Sequence, residues 1–241
     1  EMSASLVGSE MCIRDRICFS IVMALSTRQI EKNHVEDTYE AVYTRITEED
    51  VSTLKGLDDF SRVGEYYMLA VEPAEQGYNA SYIYCDEETM YIARDQMKLL
   101  EGRLPQKEDE VVVSRYFLSN YAADAGIGEK VMLSSESFHG EYTVTGIMEG
   151  YKEKEVNGTS ILLSKEALKG WSGYDPADYR AYVHFKNEQQ MDETELTARS
   201  REIAKGYQLE MPVMNLSYMK FYKQPVNVSI CLLYTSDAAD E

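Results

Sequence analysis

Short runs of β-branched and aromatic residues recur along the chain, and glycine, proline or acidic residues separate them. One run, Val111 to Val113, contains consecutive β-branched residues, which suits a buried strand. An exposed hairpin loop is predicted where charges alternate from Lys152 to Glu155. The whole pattern predicts strands at residues 38–46, 60–71, 81–85, 110–114, 130–134, 141–149, 159–163, 179–185 and 207–214.

Helices are predicted between several of these strands from their capping residues. Thr47 and Asp50 have the spacing of a capping box, and Gly56 is placed to end the helix that follows them. Ser114 can cap a second helix, and the longest helix is predicted at residues 192–205. This mixture predicts the α+β class. We expect two small mixed lobes, one containing a β-α-β unit and interrupted by the other, a strand-rich central lobe.

The composition narrows the possible partners. The chain has 42 acidic residues against 24 basic ones, which gives a formal net charge of −18. Such a surface repels the phosphates of nucleic acids and anionic lipid headgroups, so a nucleic-acid partner is excluded. Cys18 lies in an apolar run and Cys85 in a distant polar turn, so we expect no disulfide between them. No paired-cysteine spacing indicates zinc.

An ordered set of short motifs occupies the middle of the chain. A Leu-x-Gly-Arg-x-Pro turn is followed by an acidic, valine-rich strand, a short helix, a Gly-x-Gly-Glu-Lys-Val strand start and a Tyr-Thr-Val-x-Gly-Ile strand. These elements are Leu100 to Pro105, Glu110 to Ser114, Arg115 to Tyr121, Gly126 to Val131 and Tyr142 to Ile147. In this order they resemble the extracytoplasmic (periplasmic core) domain of an FtsX-like, MacB-like ABC transporter permease.

The resemblance implies a transport function that is shared between several chains. It implies a domain at residues 31–222 on the extracytoplasmic side of a bacterial cell membrane. A separate cytoplasmic ATPase and a second permease copy would be its partners, and ATP hydrolysis would drive export or mechanical signalling. The alternatives are a ligand-binding sensor domain of a membrane receptor and a secreted enzyme.

Both ends of the chain are expected to lie outside this domain. Residues 1–16 and 231–241 contain segments that match in-frame translations of sequencing-library adapters, and the alternative is a native disordered terminus and tail. The apolar run Ile17–Leu25 has about half the residues needed to cross a bilayer. We interpret residues 17–30 as the end of a truncated transmembrane helix and residues 223–230 as the approach to a second one. A short buried helix and a signal-peptide core are the alternatives.

The search for reactive groups predicts no catalytic, cofactor-binding or metal-ligating residue, and no enzyme activity. The sequence contains no Gly-x-x-x-x-Gly-Lys-[Ser/Thr] loop, so ATP would be hydrolysed by another chain. His34, His139 and His184 are isolated and suit ordinary structural positions. The run Asp86 to Glu88 could hold a hard cation, but a solvated helix start is favoured. Several tyrosines could form a binding face, but strand packing is favoured; they are Tyr66, Tyr67, Tyr82, Tyr84 and Tyr91.

Overall fold

A single mixed sheet is the main feature of the computed structural model, which describes residues 39–92, 97–150, 158–186 and 191–223. Its strands are β1 (Ala41–Ile46), β2 (Phe60–Pro73), β3 (Asn79–Cys85), β4 (Lys98–Gly102), β5 (Glu110–Ser114), β6 (Lys130–Ser134), β7 (His139–Glu149), β8 (Gly158–Leu163), β9 (Tyr179–Phe185) and β10 (Val213–Met214). The helices are α1 (Glu48–Lys55), α2 (Glu87–Ile92), α3 (Arg115–Tyr121), α4 (Lys165–Gly170), α5 (Glu193–Gly206) and α6 (Leu216–Lys223). The described residues from Tyr39 to Tyr218 belong to one compact unit.

The strands follow the order β10-β1-β9-β2-β3-β8-β5-β7-β4, and β6 pairs with β7 beside β4. Two pairs are parallel, β3 with β8 and β5 with β7, and the other pairs are antiparallel. The first half of the sheet, β10 to β3, is interrupted in the sequence by residues 98–163, which form the second half. The α+β class is confirmed, and the two expected lobes are halves of one continuous sheet that meet along β3 and β8.

The core lies along the central strands and beneath the helices. All five residues of β5 are buried, and the strand lies in the interior of the sheet between β7 and β8. The capping box at Thr47 and Asp50 is present, and α1 buries Val51 and Leu54 against the sheet. The predicted buried strand and the predicted start of α1 are therefore confirmed.

Three local predictions were wrong. Only Val213 and Met214 of the predicted strand 207–214 are in a strand, because α5 continues through Gly206 and the chain then leaves it irregularly. Strands β7 and β8 do not form a hairpin, since β5 lies between them. The loop that joins them, residues 151–157, lies outside the described residues. Cys85 ends strand β3 and is buried, so it does not lie in a polar turn.

The expectations for the chain ends fall outside the described residues. This applies to the adapter-like segments, to the apolar run Ile17–Leu25 and to the approach at residues 224–230. Among the helices in the described part of the chain, none has the length and apolar character needed to cross a membrane.

Candidate functional site

A cluster of six charged side chains connects the two halves of the sheet. We call it the Glu65 cluster; its members are Glu48 and Lys55 of α1, Glu65 of β2, Asp86 before α2, and Lys165 and Lys169 of α4. Glu65 interrupts an apolar strand, and its side chain is only 7% exposed. A carboxylate at this depth requires charged or hydrogen-bonding partners.

The junction between β2 and α2 places two of the carboxylates side by side. Asp86 Oδ1 accepts hydrogen bonds from the backbone N–H of Glu65 at 3.0 Å and of Thr89 at 2.8 Å. Thr89 packs so closely on β2 that a Cβ at Gly64 would lie 2.6 Å from the Thr89 hydroxyl oxygen. The glycine therefore allows α2 to dock directly on the strand.

Helix capping positions the remaining members. The capping box of Thr47 starts α1, so that Glu48 falls in its first turn and Lys55 in its last. Ser164 Oγ accepts a hydrogen bond from Ala167 N at 3.0 Å and starts α4 directly after β8. Lys165 thus extends from the second half of the sheet toward Glu48 and Glu65 in the first half.

The distances describe a chain of alternating charges. Lys165 Nζ lies 2.6 Å from Glu65 Oε1 and 2.7 Å from Glu48 Oε1. Lys55 Nζ lies 2.8 Å from Asp86 Oδ2 and 3.4 Å from Glu65 Oε2. Lys169 Nζ completes the chain at 2.8 Å from Glu48 Oε2. Each carboxylate of the cluster therefore has at least one lysine partner.

The surrounding charges favour the ionised forms of Lys165, Lys55 and Glu48. Burial alone would lower the pKa of Lys165, but its hydrogen bonds to Glu48 and Glu65 raise that pKa above its ordinary value. Burial would likewise lower the pKa of Lys55, but its hydrogen bonds and charge interactions with Asp86 and Glu65 together raise that pKa. Hydrogen bonds from Lys165 and Lys169 lower the pKa of Glu48. The ion pairs of the cluster therefore act as an electrostatic clamp between α1, β2 and α4.

The motif residues in the middle of the chain have structural roles. Arg103 binds Glu110 through two hydrogen bonds of 2.8 and 2.7 Å, and the backbone N–H of Gln106 donates to the same carboxylate at 2.8 Å. The bonds from Arg103 lower the pKa of Glu110 to about 2. Gly102 has φ +81°, and a Cβ there would lie 2.2 Å from Thr145 O. The turn motif therefore clamps β4 and β5 into the sheet.

The histidines and the acidic run that were considered as catalytic or metal-binding candidates do not form a common site in the described part of the chain. His139 is exposed at the start of β7, whereas His184 Nδ1 lies 3.1 Å from the buried carboxylate of Glu40. His34 lies outside the described residues. Asp86 caps the start of α2, so the predicted helix start is confirmed. The Asp86 side chain is not solvated as expected, since it is 20% exposed and paired with Lys55. Within the described ranges, no group of three or more His, Cys, Asp or Glu side chains could hold a metal ion.

The tyrosines mainly pack within the sheet. Tyr66, Tyr67 and Tyr82 are buried, which confirms the packing interpretation for these three. Tyr84 is partly buried, and its ring centroid lies 5.5 Å from Lys165 Nζ. Tyr91 is 51% exposed, and the Arg62 guanidinium covers its ring at 3.7 Å.

Sequence reasoning missed the central residues of the site, Glu65 and Lys165. One local signal was available, since Glu65 is a charged residue in the apolar run from Val63 to Val71. Its partner could not be inferred locally, because Lys165 lies 100 positions later.

The described residues form the fold of the extracytoplasmic domains of ABC-type transporter permeases, as the motif resemblance predicted. One similar solved structure is the extracellular domain of the noncanonic ABC-type transporter YknZ from Gram-positive bacteria. It is 16% identical at a TM-score of 0.50, and the match covers 71% of this chain and 96% of that domain.

A second similar structure is the periplasmic region of MacB from Actinobacillus actinomycetemcomitans. It is 12% identical at a TM-score of 0.51, over 76% of this chain and 90% of that region. At these identities the similarity is one of fold. No protein-family model and no curated protein sequence matches the chain.

Proposed function

We propose that residues 31–222 are the extracytoplasmic domain of an ABC transporter permease. In this proposal a separate cytoplasmic ATPase hydrolyses ATP, and the domain couples that hydrolysis to export or to mechanical signalling across a bacterial cell membrane. A second permease copy completes the complex. The observation that carries the proposal is the fold shared with the extracellular domain of YknZ and the periplasmic region of MacB.

The pairing of β1 with β10, the first and last of the described strands, suits a domain inserted between two membrane helices. Strand β1 begins at Ala41, and β10 pairs with it in antiparallel register near the other end of the described chain. The Asn215 N–H donates to Glu40 O at 2.9 Å. The polypeptide therefore enters and leaves the sheet on adjacent strands, which favours anchoring at one edge.

Two further observations support a mechanical role without catalysis. The sheet is continuous across β3 and β8, and the Glu65 cluster connects α1, β2 and α4 across the same boundary. A displacement applied at one edge can therefore pass through the domain as a rigid-body movement. The sequence contains no Gly-x-x-x-x-Gly-Lys-[Ser/Thr] loop, and we propose that the domain has no enzyme activity of its own.

The test compares two cross-links in the reconstituted complex of permease and ATPase. Ser81 and Ser160 are register partners on β3 and β8, so a Ser81→Cys/Ser160→Cys disulfide would join the halves of one domain. The exposed residue Asp58, changed to cysteine, would allow a bifunctional maleimide to pin one copy to the other. We expect the internal disulfide to leave ATP-driven transport unchanged, and the inter-copy cross-link to suppress it while nucleotide binding by the ATPase persists.

The opposite results would reject the mechanical role. Full transport with the two domains pinned together, or with residues 38–215 deleted, would contradict it. Suppression by the internal disulfide would show that the halves move separately. Ligand-dependent signalling without an ATPase would instead favour a sensor domain of a membrane receptor.

A further inference from the structure

Strand β6 has one free edge in the described part of the chain. It pairs with β7, and no other strand of the described ranges lies against its opposite side. Its side chains alternate, with Val131 and Leu133 buried and Lys130 and Met132 exposed. An exposed strand edge offers backbone donors and acceptors to another extended chain.

A glycine bulge determines which backbone groups face outward. Gly128 has φ +89°; its N–H donates to Val144 O, and the Val144 N–H donates to Glu129 O, both at 2.8 Å. This is the arrangement of a bulge with glycine at its first position. In the antiparallel ladder that follows, Val131 and Leu133 bond to β7, so the N–H and C=O groups of Lys130 and Met132 point away. Ser134 follows the same alternation, because its outward C=O accepts from Glu75 N at 3.2 Å.

A groove runs along this edge. It has a volume of about 640 Å³ and lies between β6 and the segment that joins α3 to β6. The joining segment contributes small side chains to the lining of the groove, namely Ala122, Ala123 and Ala125. Met132, which also lines the groove, is 49% exposed. The groove therefore has space for a polypeptide backbone and apolar side chains for it to contact.

The charges at the groove are predominantly negative. Its lining includes Asp124, Glu129 and Lys130, and the Lys130 ammonium is already paired with Glu141 at 2.8 Å. A basic segment would complement the remaining carboxylates. A second copy of this chain is disfavoured as the occupant, because its net charge is −18.

We propose that β6 is a docking strand for a partner protein. The partner contributes an extended segment, with lysine or arginine between apolar residues, that adds to the sheet along Lys130 to Met132. The proposal concerns the groove alone and is independent of the transport role.

The test uses the full chain and a fluorescent peptide of eight alternating lysine and valine residues. Fluorescence anisotropy measures its affinity, and hydrogen exchange measures protection of the Lys130 and Met132 amides. Two peptides are controls: one with glutamate in place of lysine, and one with the same charges but N-methyl groups on alternate backbone amides. We expect each control to bind at least about tenfold more weakly.

Substitutions at Met132 and Asp124 locate the binding. Met132→Pro removes an outward N–H that takes no part in the β6–β7 ladder, so the sheet should tolerate it. We expect this variant to bind the peptide at least about tenfold more weakly, whereas Met132→Thr retains binding. Asp124→Asn should weaken binding by a smaller factor.

Three results would overturn the proposal. The first is equal binding of the N-methylated peptide, which would indicate general charge attraction. The second is unchanged binding by a folded Met132→Pro variant, and the third is the absence of any peptide binding. Concentration-dependent dimers in sedimentation, abolished by Met132→Pro, would assign the groove to a second copy instead.

Discussion

Replacement of Lys165 by methionine tests whether the Glu65 cluster holds the two halves of the sheet together. Methionine retains much of the side-chain volume and removes the ammonium group. In the structure that group lies 2.6 Å from Glu65 Oε1 and 2.7 Å from Glu48 Oε1. After the substitution Glu65 would keep only the longer contact to Lys55, at 3.4 Å.

The expected loss follows from the burial of Glu65. A hydrogen bond to a charged group contributes roughly 1.5–3 kcal/mol, and loss of one partner from a buried pair leaves an uncompensated charge. The Glu65 side chain is 7% exposed and that of Lys165 is 31% exposed, so solvent screens the pair only partly. We expect Lys165→Met to lower the free energy of unfolding by about 2–3 kcal/mol. For a domain of this size, that corresponds to a fall of roughly 4–12 °C in Tm.

Urea unfolding followed by circular dichroism measures this loss. A double-mutant cycle with Glu65→Gln isolates the interaction between the two side chains, and we expect a coupling of at least about 1.5 kcal/mol. Lys186→Met is the matched control, because the partner of Lys186 is the fully exposed Asp58; we expect its midpoint to be unchanged. A loss for Lys165→Met no larger than for this control would refute the clamp.

Three further substitutions test the core, the turn motif and the packing of α2. Val112→Asp should unfold the domain, since it places an unpaired charge at a fully buried position, whereas His139→Ala should be neutral; equal tolerance in thermal melts would contradict the buried strand. The pKa of Glu110 is lowered to about 2, so the stability it contributes is present above pH ~4.5 and is lost as the pH falls toward 2. Glu110→Gln should weaken the pH dependence of the free energy of unfolding below pH ~4.5. If the variant and the unchanged protein lose stability equally on acidification, the Arg103–Glu110 pair contributes little. Gly64→Ala should lower the free energy of unfolding by about 1–3 kcal/mol, because the added methyl group would collide with Thr89. Gly206→Ala is the control, since nothing lies within 4 Å of a Cβ at that position. Similar melting temperatures for the two variants would contradict the close packing of α2.

The sequence alone determined the local elements and the class of the fold. The capping box at Thr47, the cap at Ser114 and the strand at Tyr179–Phe185 were predicted correctly, because such signals depend on residues within a few positions of one another. The turn motif at Gly102 and Arg103 could be found as a pattern for the same reason. Its purpose, the clamp on Glu110, became evident only from the contacts.

The tertiary structure decided which strands became neighbours and which charges met. Strand β5 separates β7 from β8, although these two strands are consecutive in the chain and a turn signal lies between them. Glu65 pairs with Lys165 across 100 positions, on elements that the sheet order brings together. Strand partners are selected by burial of apolar faces over the whole domain, and no local pattern encodes that selection. The sequence could therefore indicate that Glu65 was unusual, but the long-range packing of α4 supplied its partner.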